Sequence, residues 1–215
     1  EQVHHALDLN GLEGVEEEYV VGHEGQRLFG MMKVQPKALE GELITAKDWN
    51  LTLGLRGSHD QSVARGLTLG SQVIVCSNLC FDGNLGKFNT MQTTNVGARI
   101  PGLIREAVAR IPDVAENMAA RYDAYKNHQM KPRWGDAFLV EVHRRGGLSA
   151  AQLGKAIAEW DRPKHEEHAQ YGYSAWRLFN AATEALKPGG QNVNMNLVQD
   201  RSQITSAFLD EVIGL

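Results

Sequence analysis

The sequence predicts an α+β fold: an antiparallel sheet from the N-terminal half packed by helices from the C-terminal half. Three observations carry that expectation. Alternating and β-branched runs are confined to residues 15–95. From residue 96 onward, apolar residues recur at helical spacing. The two patterns follow one another instead of interleaving, which argues against repeated βαβ units. At 215 residues the chain fits a single domain, given about 100–200 residues per domain. Residues 1–14, polar and acidic, read as a flexible or docking segment.

The strands come first. Residues 17–21 and 27–34 flank Gly22-His23-Glu24-Gly25-Gln26, a polar linker suited to a hairpin. Residues 49–56 alternate, with Trp49, Leu51, Leu53 and Leu55 on one side and Asn50, Thr52, Gly54 and Arg56 on the other. That pattern predicts a strand with one buried face. Residues 71–77 contain Val73-Ile74-Val75-Cys76 and read as a central strand. Phe81-Asp82-Gly83-Asn84 reads as a turn, followed by a short strand near 87–92.

The helices follow. Ile100, Leu103, Ile104, Ala107, Val108 and Ile111 form one apolar stripe, with Arg99, Arg105, Glu106 and Arg110 opposite. Pro112 should end or kink this helix. Met118, Tyr122 and Tyr125 continue the stripe into a second helix. A third, 136–145, stops at Gly146-Gly147. Ser149 and Gln152 make a capping box for the next, 148–160, with Leu148 placed to staple onto Leu153. Further helices are expected at 174–186, ended by Lys187-Pro188-Gly189-Gly190, and at 202–213.

Composition narrows the function. No apolar run approaches the roughly 18 residues of a membrane span, and the N-terminus carries no signal-peptide pattern. Cys76 and Cys80 are the two cysteines, too few for a disulfide framework. A reducing, cytoplasmic home is the expectation. The net charge is −4, but residues 1–25 hold seven acids and no Lys or Arg, whereas residues 99–164 sum to +4. A local basic face is therefore available on an acidic chain, although a solvated helix surface explains the same charges.

The densest polar cluster is Arg56-Gly57-Ser58-His59-Asp60-Gln61-Ser62, followed by Arg65. A Ser-His-Asp triad needs groups converging from separate parts of a fold, so three adjacent residues do not make one. Two arginines with hydroxyl and amide groups could hold a phosphate; alternatively Ser58 and Asp60 bond the turn backbone. Asn78 could cap its strand or line the same surface. Cys76-Ser77-Asn78-Leu79-Cys80 lacks the second ligand pair of a zinc site. His165-Glu166-Glu167-His168 misses the metalloprotease spacing by one residue and reads as a solvated linker. In 171–180, aromatics beside Arg177 could stack bases. Trp176, Phe179 and Thr183 share one helical face, however, and core is the stronger reading. Gly83-Asn84-Leu85-Gly86-Lys87 has the wrong spacing for a P-loop.

Residues 53–62 and Gln72-Val73-Ile74-Val75-Cys76-Ser77-Asn78-Leu79, with the later Trp176-Arg177-Leu178-Phe179-Asn180-Ala181-Ala182-Thr183-Glu184, resemble a family of phage- and plasmid-like proteins. These proteins carry a widespread domain of unknown function. The family shows a Ser-His-Asp turn, a Val-rich strand ending in Cys-x-Asn-Thr-Leu, and a Trp-x-Leu-x-Asn-Ala-x-Thr-Glu helix. Gln61 stands where Gly is usual, and Leu79 where Thr is. The resemblance spans about residues 15–190. It implies a phage, prophage or plasmid source and a cytoplasmic protein, but no established reaction.

The functional expectation is an accessory protein of DNA metabolism that binds or anneals single-stranded DNA. Arg56, His59 and Arg65 would meet phosphates, with Ser58, Asp60, Gln61 and Asn78 beside them and Arg99, Arg105 and Arg110 lining a basic groove. The alternative is a non-enzymatic module that binds and redirects a host or defence protein through its acidic N-terminus. A homo-oligomer suits either reading. The sequence leans away from an enzyme; no cofactor or metal is expected, and no membrane.

Overall fold

The structure is a computed structural model and describes residues 1–22, 24–36, 49–59, 65–73, 79–81, 87–90, 96–187 and 195–215. The chain is α+β. In order the elements are α1 (Gln2–Leu9), β1 (Leu12–Gly22), β2 (Arg27–Pro36), β3 (Trp49–Ser58), β4 (Arg65–Val73), β5 (Leu79–Phe81), β6 (Lys87–Thr90) and α2 (Val96–Ala109). Then come α3 (Ile111–Asn127), α4 (Pro132–Arg144), α5 (Ala150–Asp161), α6 (Glu166–Ala169), α7 (Ala175–Leu186) and α8 (Met195–Ile213). Two compact units divide the chain: Glu1–Gln72 with Phe81–Asn117, and Val73–Cys80 with Met118–Leu215.

In the first unit the strand order is β1-β2-β3-β4, with β6 pairing antiparallel with β4. The β1–β2 and β2–β3 pairs are antiparallel, and β1 has an irregularity between Gly14 and Glu16. Strand alternation places Leu12, Met32, Val34, Leu51, Leu53 and Leu55 on one face. All but Leu55 are fully buried there. Gly30 lies under Tyr19 on that face: a Cβ at this position would come within 2.7 Å of the ring. Thr52 and Gly54, on the other face, are buried as well. The single buried face expected for β3 is therefore corrected: as an inner strand it is covered on both sides.

Three further differences are local. The expected 71–77 strand is instead β4, which begins at Arg65; residues 74–78 lie outside those described. The N-terminal segment forms α1, whose Ala6 and Leu7 are buried. Its short apolar content sits among polar residues, so the pattern is weak in sequence. α8 begins at Met195, seven residues before the expected start.

The α2–α3 break falls at Arg110, a turn residue, and Pro112 sits in the first turn of α3 where its missing N–H costs nothing. The cap readings hold as well. Ser149 Oγ accepts from the Gln152 N–H and Gln152 Oε1 accepts from the Ser149 N–H. Gly146, at φ +84°, ends α4 in the left-handed conformation that favours glycine.

The second unit is helical, with α7 at its centre. Every residue of α7 except Glu184 is buried, as expected of a helix with packing on all sides. Four alanines keep its neighbours close, and α5, α6 and α8 all contact it. Trp176 and Phe179 meet Tyr122 of α3 at ring-centroid distances of 5.1 and 5.6 Å. The core reading of this aromatic segment is correct.

Arg177 is also buried. Its Nε donates to the Trp160 carbonyl at 2.9 Å and its Nη2 to the Asp161 carbonyl at 3.1 Å. These are carbonyls at the C-terminal end of α5, where the helix dipole favours a cation. Its guanidinium also covers the Tyr173 ring, 4.4 Å from the centroid. In α3 and α8, Arg121 pairs with Asp210, and Tyr125 donates to Asp210 Oδ1 at 2.6 Å. Burial, reinforced by that carboxylate, pushes the Tyr125 phenol well above its ordinary pKa.

Candidate functional site

The residues singled out around position 56 lie at one end of the sheet. Gly22 is opposite Arg27, and Arg27 is opposite Ser58, so the hairpin tip and the end of β3 are neighbours. The His59 N–H donates to the Gln26 carbonyl at 2.7 Å and ties the two together. Glu24 and Gly25, at φ 56° and 88°, make the tight turn.

Between this end and α2 is a cleft of about 440 Å³, within the range of small-ligand pockets. Val21, Leu28, Leu55 and Leu67 line it from the strands, and Ile100, Leu103 and Ile104 from α2. Gln26, Arg56, Ser58 and His59 border it. The walls are aliphatic, and no Phe, Tyr or Trp lines it among the described residues.

Register decides what each residue presents. Val21, Leu28 and Gly57 are cross-strand neighbours, and Leu55 shares their face. Arg56 pairs with Phe29 and Ser58 with Arg27, so both side chains alternate to the other face. Ser58 is buried there and Arg56 is half-buried, while His59 is exposed at the strand end. Thus Arg56 belongs to β3, as its alternation predicts, and so does Ser58, which the sequence places in the following turn.

On α2, Ile104, Ala107 and Val108 are buried, and Arg99 and Arg105 are exposed, as is Arg110 in the turn that follows. At about 100° per residue, neither Arg99 nor Arg105 falls on the apolar face. Arg99 adjoins Ile100 at the cleft. Arg65 opens β4 opposite Thr90. Asp60, Gln61 and Asn78 lie outside the described residues. The lining of the cleft thus includes Arg56 and Ser58, whose side chains alternate to the opposite face, and His59. Arg99 is exposed one residue before the lining Ile100, and Arg105 is not among the described lining residues.

In sequence, Val21 and Leu28 read as strand residues and Ile100, Leu103 and Ile104 as a packing stripe; that they face an opening is visible only in the structure. Periodicity identifies the apolar side of an element but not how completely a neighbour covers it.

The other sequence candidates resolve differently. His165-Glu166-Glu167-His168 begins a short helix, and His168 is buried, which corrects the solvated-linker reading. α7 contacts α6. Neither ring nitrogen of His168 has a hydrogen bond. Burial, with His165 at a ring distance of 5.4 Å, pushes its pKa down to about 4. Near α1, His4 Nε2 lies 2.7 Å from Glu17 Oε1. Among the described residues no group of three His, Cys, Asp or Glu could hold a metal ion, and no helix is long and apolar enough to cross a membrane.

Fold and site together define an α+β protein with an aliphatic-walled cleft at the end of its sheet, with Arg56 and His59 in its lining. The chain belongs to the family described as domain of unknown function (DUF932), whose model matches residues 1–208. No curated protein and no solved structure matches it.

Proposed function

We propose that the protein is a phage- or plasmid-derived accessory factor of DNA metabolism that binds or anneals single-stranded DNA at the sheet-end cleft. The observation that carries this reading is a cleft with aliphatic walls whose lining includes Arg56 and His59, with Arg99 exposed one residue before the lining Ile100. Base faces are flat and apolar and can lie against Leu55, Leu67 and Ile104, while phosphates remain at the border. In the proposal Arg65, which opens β4, is a further phosphate contact. The mobile-element source rests on the sequence resemblance, and a cytoplasmic site of action follows from it.

The test is binding of a labelled oligothymidylate by anisotropy as salt is raised. Each phosphate neutralised on a single strand contributes a slope of about −0.7 in log K against log salt. Three contacts give about −2, or roughly 15-fold weaker binding between 50 and 200 mM. Arg99→Ala should weaken binding and reduce the slope by about one contact. A salt-independent signal, or none at 50 mM, rejects the proposal.

A second reading is favoured by one feature. Val15, Val20 and Val21 are exposed on β1, an edge strand that also carries exposed Glu16, Glu17 and Glu18. A protein partner presenting a basic extended segment would complement this edge. Capture of one host protein, with no DNA binding, would select that reading.

A further inference from the structure

Trp134 is the exposed member of the four tryptophans. It is 61% accessible, whereas Trp49, Trp160 and Trp176 are at 2% or less. A large aromatic side chain left this open signals an interaction surface more strongly than a scattered exposed aliphatic does. Its surroundings indicate what kind. Lys131 Nζ lies 5.5 Å from the Trp134 ring centroid, and Lys131 and Arg133 are both exposed. From residue 124 to 135 the chain carries three cations and no acid.

The backbone beneath this side chain is fixed. The Trp160 indole N–H donates to the Pro132 carbonyl at 3.1 Å, and Gly135 packs directly on the Trp160 ring. Tyr173, 36% accessible, meets the same ring at 5.1 Å. Its carbonyl accepts the Met130 N–H. The exposed Trp134 thus sits on a backbone segment fixed against the buried Trp160, and the half-exposed Tyr173 packs on that same indole.

We infer that Trp134 is a base-stacking platform for single-stranded nucleic acid, with Lys131 and Arg133 holding the flanking phosphates. The inference rests on the proposed DNA-binding function and gives it a second contact surface, within the helical unit. Stacking on an aromatic face suits any base, and nearby cations add the sequence-independent attraction to the backbone. A protein hot spot would also use an exposed Trp, but it would be ringed by apolar contacts that exclude water. Here the three residues that precede the ring, Lys131, Pro132 and Arg133, are all exposed and two of them are cations.

The experiment compares wild type, Trp134→Ala, Trp134→Phe and Lys131→Ala/Arg133→Ala with a labelled oligothymidylate. Arg99→Ala, at the sheet-end cleft, is run in parallel. Because Trp134 is exposed, its variants should keep the wild-type circular dichroism spectrum and melting temperature. Loss of a stacked base predicts about 5- to 150-fold weaker binding for Trp134→Ala. Trp134→Phe should recover most of it, and the double variant should show a shallower salt dependence. Wild-type fluorescence should be quenched by the oligonucleotide, with most of that quenching absent in Trp134→Ala. If Arg99→Ala weakens binding while Trp134→Ala binds like wild type, the platform is refuted and the cleft reading stands. If wild type binds no oligonucleotide at low salt, both fail. Binding of anionic vesicles or of a host protein by wild type, without DNA binding, likewise overturns the inference.

Discussion

Replacing Gly135 by alanine should destabilise the helical unit, against the usual expectation for a helical glycine. In an unobstructed helix, glycine to alanine gains about 0.5–1 kcal/mol, because alanine has less backbone freedom to lose on folding. At position 135 the new Cβ would lie within 2.5 Å of three atoms of the Trp160 indole, which is inside any real carbon contact. Trp160 cannot move freely: it has no exposure and its N–H is bonded to the Pro132 carbonyl. Relief requires α4 and α5 to separate or the indole to leave its rotamer. Overpacking of this kind costs about 1–3 kcal/mol, so the balance is a loss of up to about 2 kcal/mol. Gly154 in α5 supplies the control, since nothing lies within 4 Å of its added Cβ. There alanine should stabilise by about 0.5–1 kcal/mol. Urea unfolding followed by tryptophan fluorescence and circular dichroism gives both values, compared at equal m. A Gly135→Ala midpoint at or above wild type would refute the packing that fixes residues 132–135.

Other consequences follow from the buried polar groups. The folded-state pKa of His168 is depressed to about 4, so between pH 6.5 and 4 the unfolded chain binds more protons. Stability should fall across that window as pH falls, by up to about 3 kcal/mol; His168→Leu should flatten the slope in equilibrium unfolding. The carboxyl of Glu184 is raised by burial, but hydrogen bonds from Lys187 and Lys164 outweigh this and leave it lowered. Its contribution is lost only further into the acid range. Arg177→Ala removes a buried guanidinium from the carbonyls of Trp160 and Asp161. Those carbonyls then lose their donor, and a loss of about 3 kcal/mol is expected in urea melts. Tyr125→Phe removes one hydrogen bond to Asp210 and should cost about 1–2 kcal/mol, with Arg121 still paired.

Much of the fold is legible in the residues because the local signals agree with the tertiary outcome. Ser149 and Gln152 specify a helix start by side-chain geometry alone, and Gly146 specifies a stop by backbone conformation. The stripe from Ile100 to Val108 gives α2 its buried face. α1 is less legible, because two buried residues in eight leave little periodicity. The burial of Thr52 and His168 is set by neighbours far along the chain, and a polar residue in sequence carries no mark of that. The site shows the same division. Arg56, Ser58 and His59 stand out as a polar cluster, but only the register reveals that Arg56 and Ser58 alternate away from Leu55 and Gly57. Trp134 was invisible as a surface feature, since sequence alone does not distinguish an exposed tryptophan from the buried Trp160 and Trp176.

The most direct test of the account is the affinity of the wild-type chain for single-stranded oligothymidylate, measured by anisotropy from 50 to 200 mM salt. The account predicts saturable binding that weakens roughly 15-fold over this range, as expected for about three phosphate contacts. No saturable binding at 50 mM, or an affinity unchanged by salt, would contradict it.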